Sequence, residues 1–128
     1  MDLCDRNYWE TLIGKGAARF FLLAALSRRP MHGYELAKAI TIACNGCCEP
    51  SDAMIYPAIR ELSDGGYIEC REEATGARRR NVCHLTEKGR EAYRAAAEAW
   101  AFVLPCIQQM VKDGLREPVA LESERSNQ

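Results

Sequence analysis

This sequence lacks the features that would make it a membrane protein, an exported protein or an enzyme of a familiar kind. Its longest apolar run, Phe20–Leu26, is seven residues, against the roughly 20 that a helix needs to cross a bilayer. Met1–Glu10 is polar and partly acidic, unlike a signal peptide, so a cytoplasmic location is expected. No glycine loop can cradle a phosphate, because Gly14-Lys15-Gly16 is too short. No His/Asp partner stands at a spacing that would activate a cysteine nucleophile, which leaves no basis for an enzyme. An excess of one charge is also missing. The formal net charge is −1, so any basic surface must be local and offset by acid elsewhere.

What is present suits a small globular chain. A length of 128 residues can bury one core but not two. Apolar residues make up 48% and charged residues 27%, which is ordinary for a soluble domain. Cysteine is the unusual component, with seven copies. An odd count without an export signal argues against a disulfide framework and leaves core thiols, redox switches or soft-metal ligands.

Periodicity divides the chain into helices and one hairpin. Ala17–Ser27 is too densely apolar for a one-sided helix and is expected to be buried on most of its circumference, with Pro30 ending it. Gly33–Ala43 reads as an amphipathic helix. Asn45-Gly46 and Pro50 then break the chain, and Ser51 can cap a third helix carrying Met54, Ile55, Ala58, Ile59 and Leu62. Pro57 lies inside that helix, so it is expected to start effectively near Tyr56 after a looser first turn. After Gly65-Gly66 the period changes. Tyr67–Glu73 and Arg79–Thr86 can pair around Thr75-Gly76-Ala77-Arg78, with glycine suited to a type II′ turn. In that register Ile68 faces Leu85 and Cys70 faces Cys83. A long helix opens at Thr86-Glu87-Lys88-Gly89 and ends near Gly114, with Pro105 expected to bend or weaken it. The remainder, 117–128, reads as a disordered tail.

Helix, helix, turn, helix and a basic-tipped hairpin is the layout of a winged helix-turn-helix. One helix fits the major groove, its partner sits at the phosphate backbone, and the hairpin lays arginines on adjacent phosphates. The DNA-binding candidates are Ser51, Asp52, Tyr56 and Arg60 on the third helix, and Arg78, Arg79 and Arg80 at the hairpin tip. Asp52, Tyr56 and Arg60 share one helical face by their spacing. A lone arginine run is more often solvated surface; its place at a hairpin tip is what favours a nucleic-acid contact.

These residues resemble the PadR family of transcriptional regulators. Met31-His32-Gly33-Tyr34-Glu35-Leu36 resembles the start of the family's second helix, and Ser51–Leu62, including Tyr56-Pro57, resembles its recognition helix. Gly66-Tyr67-Ile68-Glu69 and Arg80 through Leu85-Thr86-Glu87-Lys88-Gly89 resemble its wing and the opening of its last helix. The chain departs from the family at Ala53 and Met54, where glycine and threonine are usual, and at Asn81, Val82 and Cys83, where basic and aromatic residues are usual. The resemblance implies a repressor that binds palindromic, double-stranded operator DNA as a homodimer. It also implies dimer contact through the last helix, helped by the segment around Tyr8, Trp9 and Leu12. The expected fold is mostly α with a small β-hairpin. Residues 1–86 would form the N-terminal helix and winged-helix domain, and 87–116 the C-terminal dimerisation helix. In members of the compact subgroup, a tryptophan placed like Trp100 stacks on flat ligands between subunits. The resemblance therefore implies a ligand or dimer role for Trp100, Tyr93 and Val103, with dimer-core packing the simpler alternative.

Cys44, Cys47 and Cys48 form a C-x-x-C-C cluster on the turn before the recognition helix. Thiolates this close can converge on zinc, copper(I), mercury or arsenite, so a thiophilic metal or metalloid ion is a candidate inducer. A redox switch at Cys47 or Cys48 is the alternative. Cys70 and Cys83 form a second potential pair on the wing, although Cys70, like Cys106, also reads as a small buried hydrophobe. Cys4 reads as surface, and Cys4 and Cys106 could also meet at a dimer interface.

Overall fold

The computed structural model describes residues 1–43 and 52–116. Helix α1 spans Arg6–Arg28 and starts where the Asp5 carboxylate accepts the Asn7 N–H at 3.0 Å, satisfying one of the free donors of the first turn. It starts about three turns before the apolar segment from which it was read. The added turns carry Trp9, Leu12 and Ile13, all substantially exposed, so they lack the buried stripe that betrays a helix in sequence. Arg29 and Pro30 turn the chain into a two-residue strand, β1 (Met31–His32), and α2 follows at Gly33–Ala43. Helix α3 occupies Asp52–Asp64 and runs through Pro57 without a break, rather than beginning near Tyr56. The proline removes one hydrogen bond to the Ala53 carbonyl. Burial of Ile55, Ala58 and Leu62 on the helix's inner side offsets that loss.

Strands β2 (Ile68–Thr75) and β3 (Arg78–Leu85) form the hairpin in the register read from the sequence, Ile68 against Leu85 and Cys70 against Cys83. Gly76 supplies the positive φ, 65°, that the two-residue turn requires. The unforeseen element is β1, which pairs antiparallel with β3 (Met31 with Cys83, His32 with Val82), giving sheet order β1-β3-β2. Strand β3 is therefore central. Opposed residues point to one side of a sheet, so Met31, Cys83, Cys70, Ile68 and Leu85 share the core face, and His32, Val82 and Arg80 share the other.

The core draws one fully buried side chain from each of four elements: Leu22 of α1, Leu36 of α2, Ile55 of α3 and Ile68 of β2. Each contributes roughly 1.5–3 kcal/mol by leaving water. Helix α4 (Glu87–Gly114) begins on the same body. The Thr86 hydroxyl accepts the Gly89 N–H at 3.1 Å, and Lys88 Nζ donates to the Gly65 carbonyl at 2.8 Å. Gly89 is buried, and a Cβ there would overlap the Tyr67 carbonyl oxygen and the Leu85 side chain. Pro105 leaves α4 a single helical element. The chain divides after Arg94 into two compact units, with the first turns of α4 in the winged-helix unit. The second unit, Ala95–Gln128, holds the rest of α4, where Phe102, Val103, Leu104, Ile107, Met110 and Val111 are exposed, as is Leu115 just past the helix. The architecture is a winged helix-turn-helix with a long C-terminal helix.

Two cysteine expectations change. Cys70 and Cys83 are joined in a disulfide, despite the odd cysteine count that argued against one. They sit directly opposite on adjacent strands, so the hairpin itself brings them together. Cys106 is exposed rather than buried, because it lies on the uncovered part of α4; Cys4 is exposed as read.

Candidate nucleic-acid interface

The inner side of α3 is consumed by the core, which turns Ala53, Tyr56, Pro57 and Arg60 outward. Beside this stripe stands the wing. Arg78 and Arg79 at its tip are exposed, and Arg79 reaches Glu72 only at 3.8 Å, with both side chains more than half in solvent. Such a pair is worth little and yields readily to another anion. Among the described residues, no ion pair holds Arg60 or Arg78. Acid sits behind the tip on β2 as Glu69, Glu72 and Glu73. The near-zero net charge thus resolves into a basic tip and an acidic root.

Between the wing and the helices lies a cleft of about 580 Å³. Its walls include Tyr34 of α2, Tyr56 and Ile59 of α3, and Arg78, Arg80 and Asn81 of β3. The Tyr56 hydroxyl packs on Gly33, where a Cβ would stand 3.1 Å away, so α2 and α3 meet through that glycine. Arg80 differs from its neighbours. It is half-buried, and its Nη1 donates to His32 Nε2 at 2.6 Å, tying the wing to the start of α2. Glu35 caps the same helix end: Oε1 accepts the His32 backbone N–H at 3.3 Å, and Oε2 accepts from Arg29 at 2.9 Å. The Arg29 hydrogen bond, aided by the His32 N–H and nearby positive charge, outweighs partial burial and holds the Glu35 carboxyl below its usual range. On α3, Arg19 of α1 bonds Glu61 at 2.6 Å.

The structure brings Tyr56, Arg78 and Arg80 together in the cleft, while Arg60 and Arg79 are exposed and do not line it. Asp52 opens α3, but its side chain, Ser51, and Cys44, Cys47 and Cys48 lie outside the described residues. Tyr93 is half-buried against Phe20, with ring centroids 5.9 Å apart, in the first unit. Trp100, half-buried, and Val103, exposed, belong to the second. The sequence reading passed over His32, Tyr34 and Asn81 as members of the cleft. The available signal for His32 was Glu35 three residues on, the spacing of a carboxylate reaching back to a helix start.

The family model for the transcriptional regulator PadR-like family matches residues 22–95, from the middle of α1 into α4. This chain belongs to that family. PadR-like proteins are transcriptional regulators rather than enzymes. The chain is 39% identical over 80 residues to the transcriptional regulator YqjI of Escherichia coli (strain K12), a match over 62% of this chain and 37% of the relative. It thus spans little more than a third of that protein. Its fold is similar to a transcriptional regulator from Clostridium thermocellum, with TM-score 0.70, 24% identity, and coverage of 77% of this chain and 97% of that one. It is also similar to Bacillus subtilis PadR in complex with operator DNA, with TM-score 0.55, 20% identity, and coverage of 62% and 45%.

Proposed function

We propose that this chain is a homodimeric repressor in the cytoplasm that holds double-stranded operator DNA through α3 and the wing and releases it when an inducer binds. The observation that carries the DNA reading is the outward stripe of Tyr56 and Arg60 beside a wing tip whose Arg78 and Arg79 are exposed. A helix side for the groove next to cations for the backbone is the division of labour that duplex recognition needs. The Bacillus subtilis relative, with DNA bound, supports the same use of the fold. Among the described residues, no helix is long and apolar enough to cross a membrane.

The homodimer reading is supported by the second unit. Phe102 is 83% exposed, Met110 70% and Val111 53%, and an apolar helix surface of this kind calls for a cover. A second copy of α4 supplies one and sets two reading heads about a two-fold axis. The test is to select duplexes from a random pool with the purified chain and measure its mass by light scattering. A dimer that selects a two-fold sequence supports the reading. A monomer with no preference over random DNA overturns it.

For the inducer, the spacing of Cys44, Cys47 and Cys48 supports a thiophilic metal or metalloid ion, bound in the segment that precedes α3 in sequence. Among the described residues, no group of three or more His, Cys, Asp or Glu is arranged to hold a metal. The Cys70–Cys83 bond favours thiol oxidation as a second route. A third, a planar aromatic ligand near Trp100, rests on the family resemblance at that tryptophan; Tyr93 lines a cavity of about 490 Å³ beside α1 and α2 that does not include Trp100. Titrating zinc, copper(I), mercury and arsenite against peroxide on the DNA complex separates these routes. Ion-specific release that vanishes in a Cys47→Ser/Cys48→Ser variant supports the first.

A further inference from the structure

The ring of His32 stands between two neighbours that it cannot serve together. Its Nε2 is 2.6 Å from Arg80 Nη1 and 3.1 Å from Glu35 Oε1. A guanidinium only donates and a carboxylate only accepts. Without a proton, Nε2 accepts from Arg80. With one, it donates to Glu35, and the imidazolium repels the guanidinium. The other titratable or charged groups around the ring and its partner are Tyr34 of α2, Tyr56 of α3, Arg78 of β3, and Arg29, which occupies the second oxygen of Glu35. On the same face of the sheet are Arg71 opposite Val82 and Glu73 opposite Arg80, the latter carboxylate bonded to His84. The His32 side chain is only 16% exposed, so water competes poorly for either contact. Arg80 is consequently docked on the protein, whereas Arg78 and Arg79 stand in solvent.

We propose that His32 is a positioning residue for Arg80 in DNA binding: neutral imidazole parks Arg80 against the helix start, and protonated imidazole, held by Glu35, gives Arg80 up to a backbone phosphate. This rests on the DNA reading above. Apart from one proton transferred from solvent to Nε2, the exchange forms and breaks only hydrogen bonds. Arg80 moves from Nε2 to a phosphate oxygen, and Nε2 takes a proton from solvent. Binding DNA then takes up as much as one proton per subunit, so affinity rises as pH falls, by up to tenfold per pH unit for each proton. A purely structural histidine would alter affinity equally at every pH.

The test measures the dissociation constant of the full chain for a duplex it has selected from a random pool. Ionic strength is held fixed between about pH 5 and about pH 8, the span over which histidine changes charge. Wild type should bind more tightly toward acid. His32→Gln, which keeps a neutral acceptor, and Arg80→Gln, which removes the docked cation, should both flatten the profile. His84→Gln should keep the wild-type slope, because His84 pairs with Glu73 on the wing at 2.7 Å and is not a neighbour of Arg80 in the cleft. Arg80→Gln decides the matter even if His32→Gln fails to fold. Binding by wild type with a flat profile, or a slope that survives Arg80→Gln, overturns the positioning role and leaves the DNA reading intact. No binding at any pH removes the DNA reading, and the positioning role with it.

Discussion

Reducing the Cys70–Cys83 bond isolates what a cross-link contributes to the wing, because both sulfur atoms stay in place. The bond joins residues at a sequence separation of 13, and for a loop of that size the chain-entropy cost it removes from folding is about 3 kcal/mol. At a urea slope of roughly 2 kcal/mol per M, reduction should lower the unfolding midpoint by about 1.5 M. Cys70→Ala/Cys83→Ala, unfolded under reductant, should lie below reduced wild type by about 1 kcal/mol more. Cys83 is buried at 3% exposure, and its sulfur fills core volume that alanine leaves empty. The assay is equilibrium unfolding by circular dichroism at one fixed protein concentration, with and without reductant, on wild type and the double variant. Reductant must shift wild type and leave the double variant unmoved. Coincident midpoints for oxidised and reduced wild type would refute the cross-link's contribution, and an equal reductant shift in the double variant would assign it to other thiols.

Three further outcomes follow from the same geometry. Gly89→Ala should destabilise the chain by about 3 kcal/mol, since its methyl would overlap the Tyr67 carbonyl oxygen at the root of α4; urea unfolding reads this directly. Glu35→Gln should cost stability at neutral pH. The folded-state pKa of Glu35 is lowered, chiefly by Arg29, so its contribution is present above the ordinary carboxylate value and is lost as pH falls through the depressed one. The wild-type and variant midpoints should therefore converge in acid. Arg79→Ala should weaken DNA binding uniformly across sequences and reduce the salt slope by about one per subunit, and an unchanged slope would place the wing tip away from phosphate.

How much of this was legible depends on the length of the signal each element leaves. Ile68 against Leu85 and Cys70 against Cys83 were readable because an eight-residue strand alternates, and a one-residue slip would turn every apolar side chain out of the core. The bounds of α2 were readable because Leu36 and Ile40 mark its buried stripe. The first turns of α1 left no such mark, since Trp9, Leu12 and Ile13 are exposed. Strand β1 is two residues long, too short for any period, and so the whole β1–β3 edge went unread. Within the site, the arginine run was visible as composition, but the different state of Arg80 was not. That difference arises from a neighbour 48 residues away in sequence.

The shortness of β1 is also why it matters for the site. A hairpin tethered only at its base would swing, and arginines on it would sample many positions, each losing side-chain freedom when fixed on DNA. Pairing of Met31 with Cys83 and His32 with Val82 pins the central strand from its second edge. The Cys70–Cys83 bond pins the same strand from the first. Arg80 lies two residues beyond Val82 toward the tip, on the His32 face, so the ribbon delivers it to the histidine rather than to solvent. Arg78 and Arg79 lie farther still toward the tip. The wing thus carries two kinds of cation: an exposed pair at the tip, which can follow the backbone of any duplex, and a held one just behind it, whose release has to be won against a hydrogen bond. Only the held cation can make the grip on DNA depend on the state of the protein beneath it.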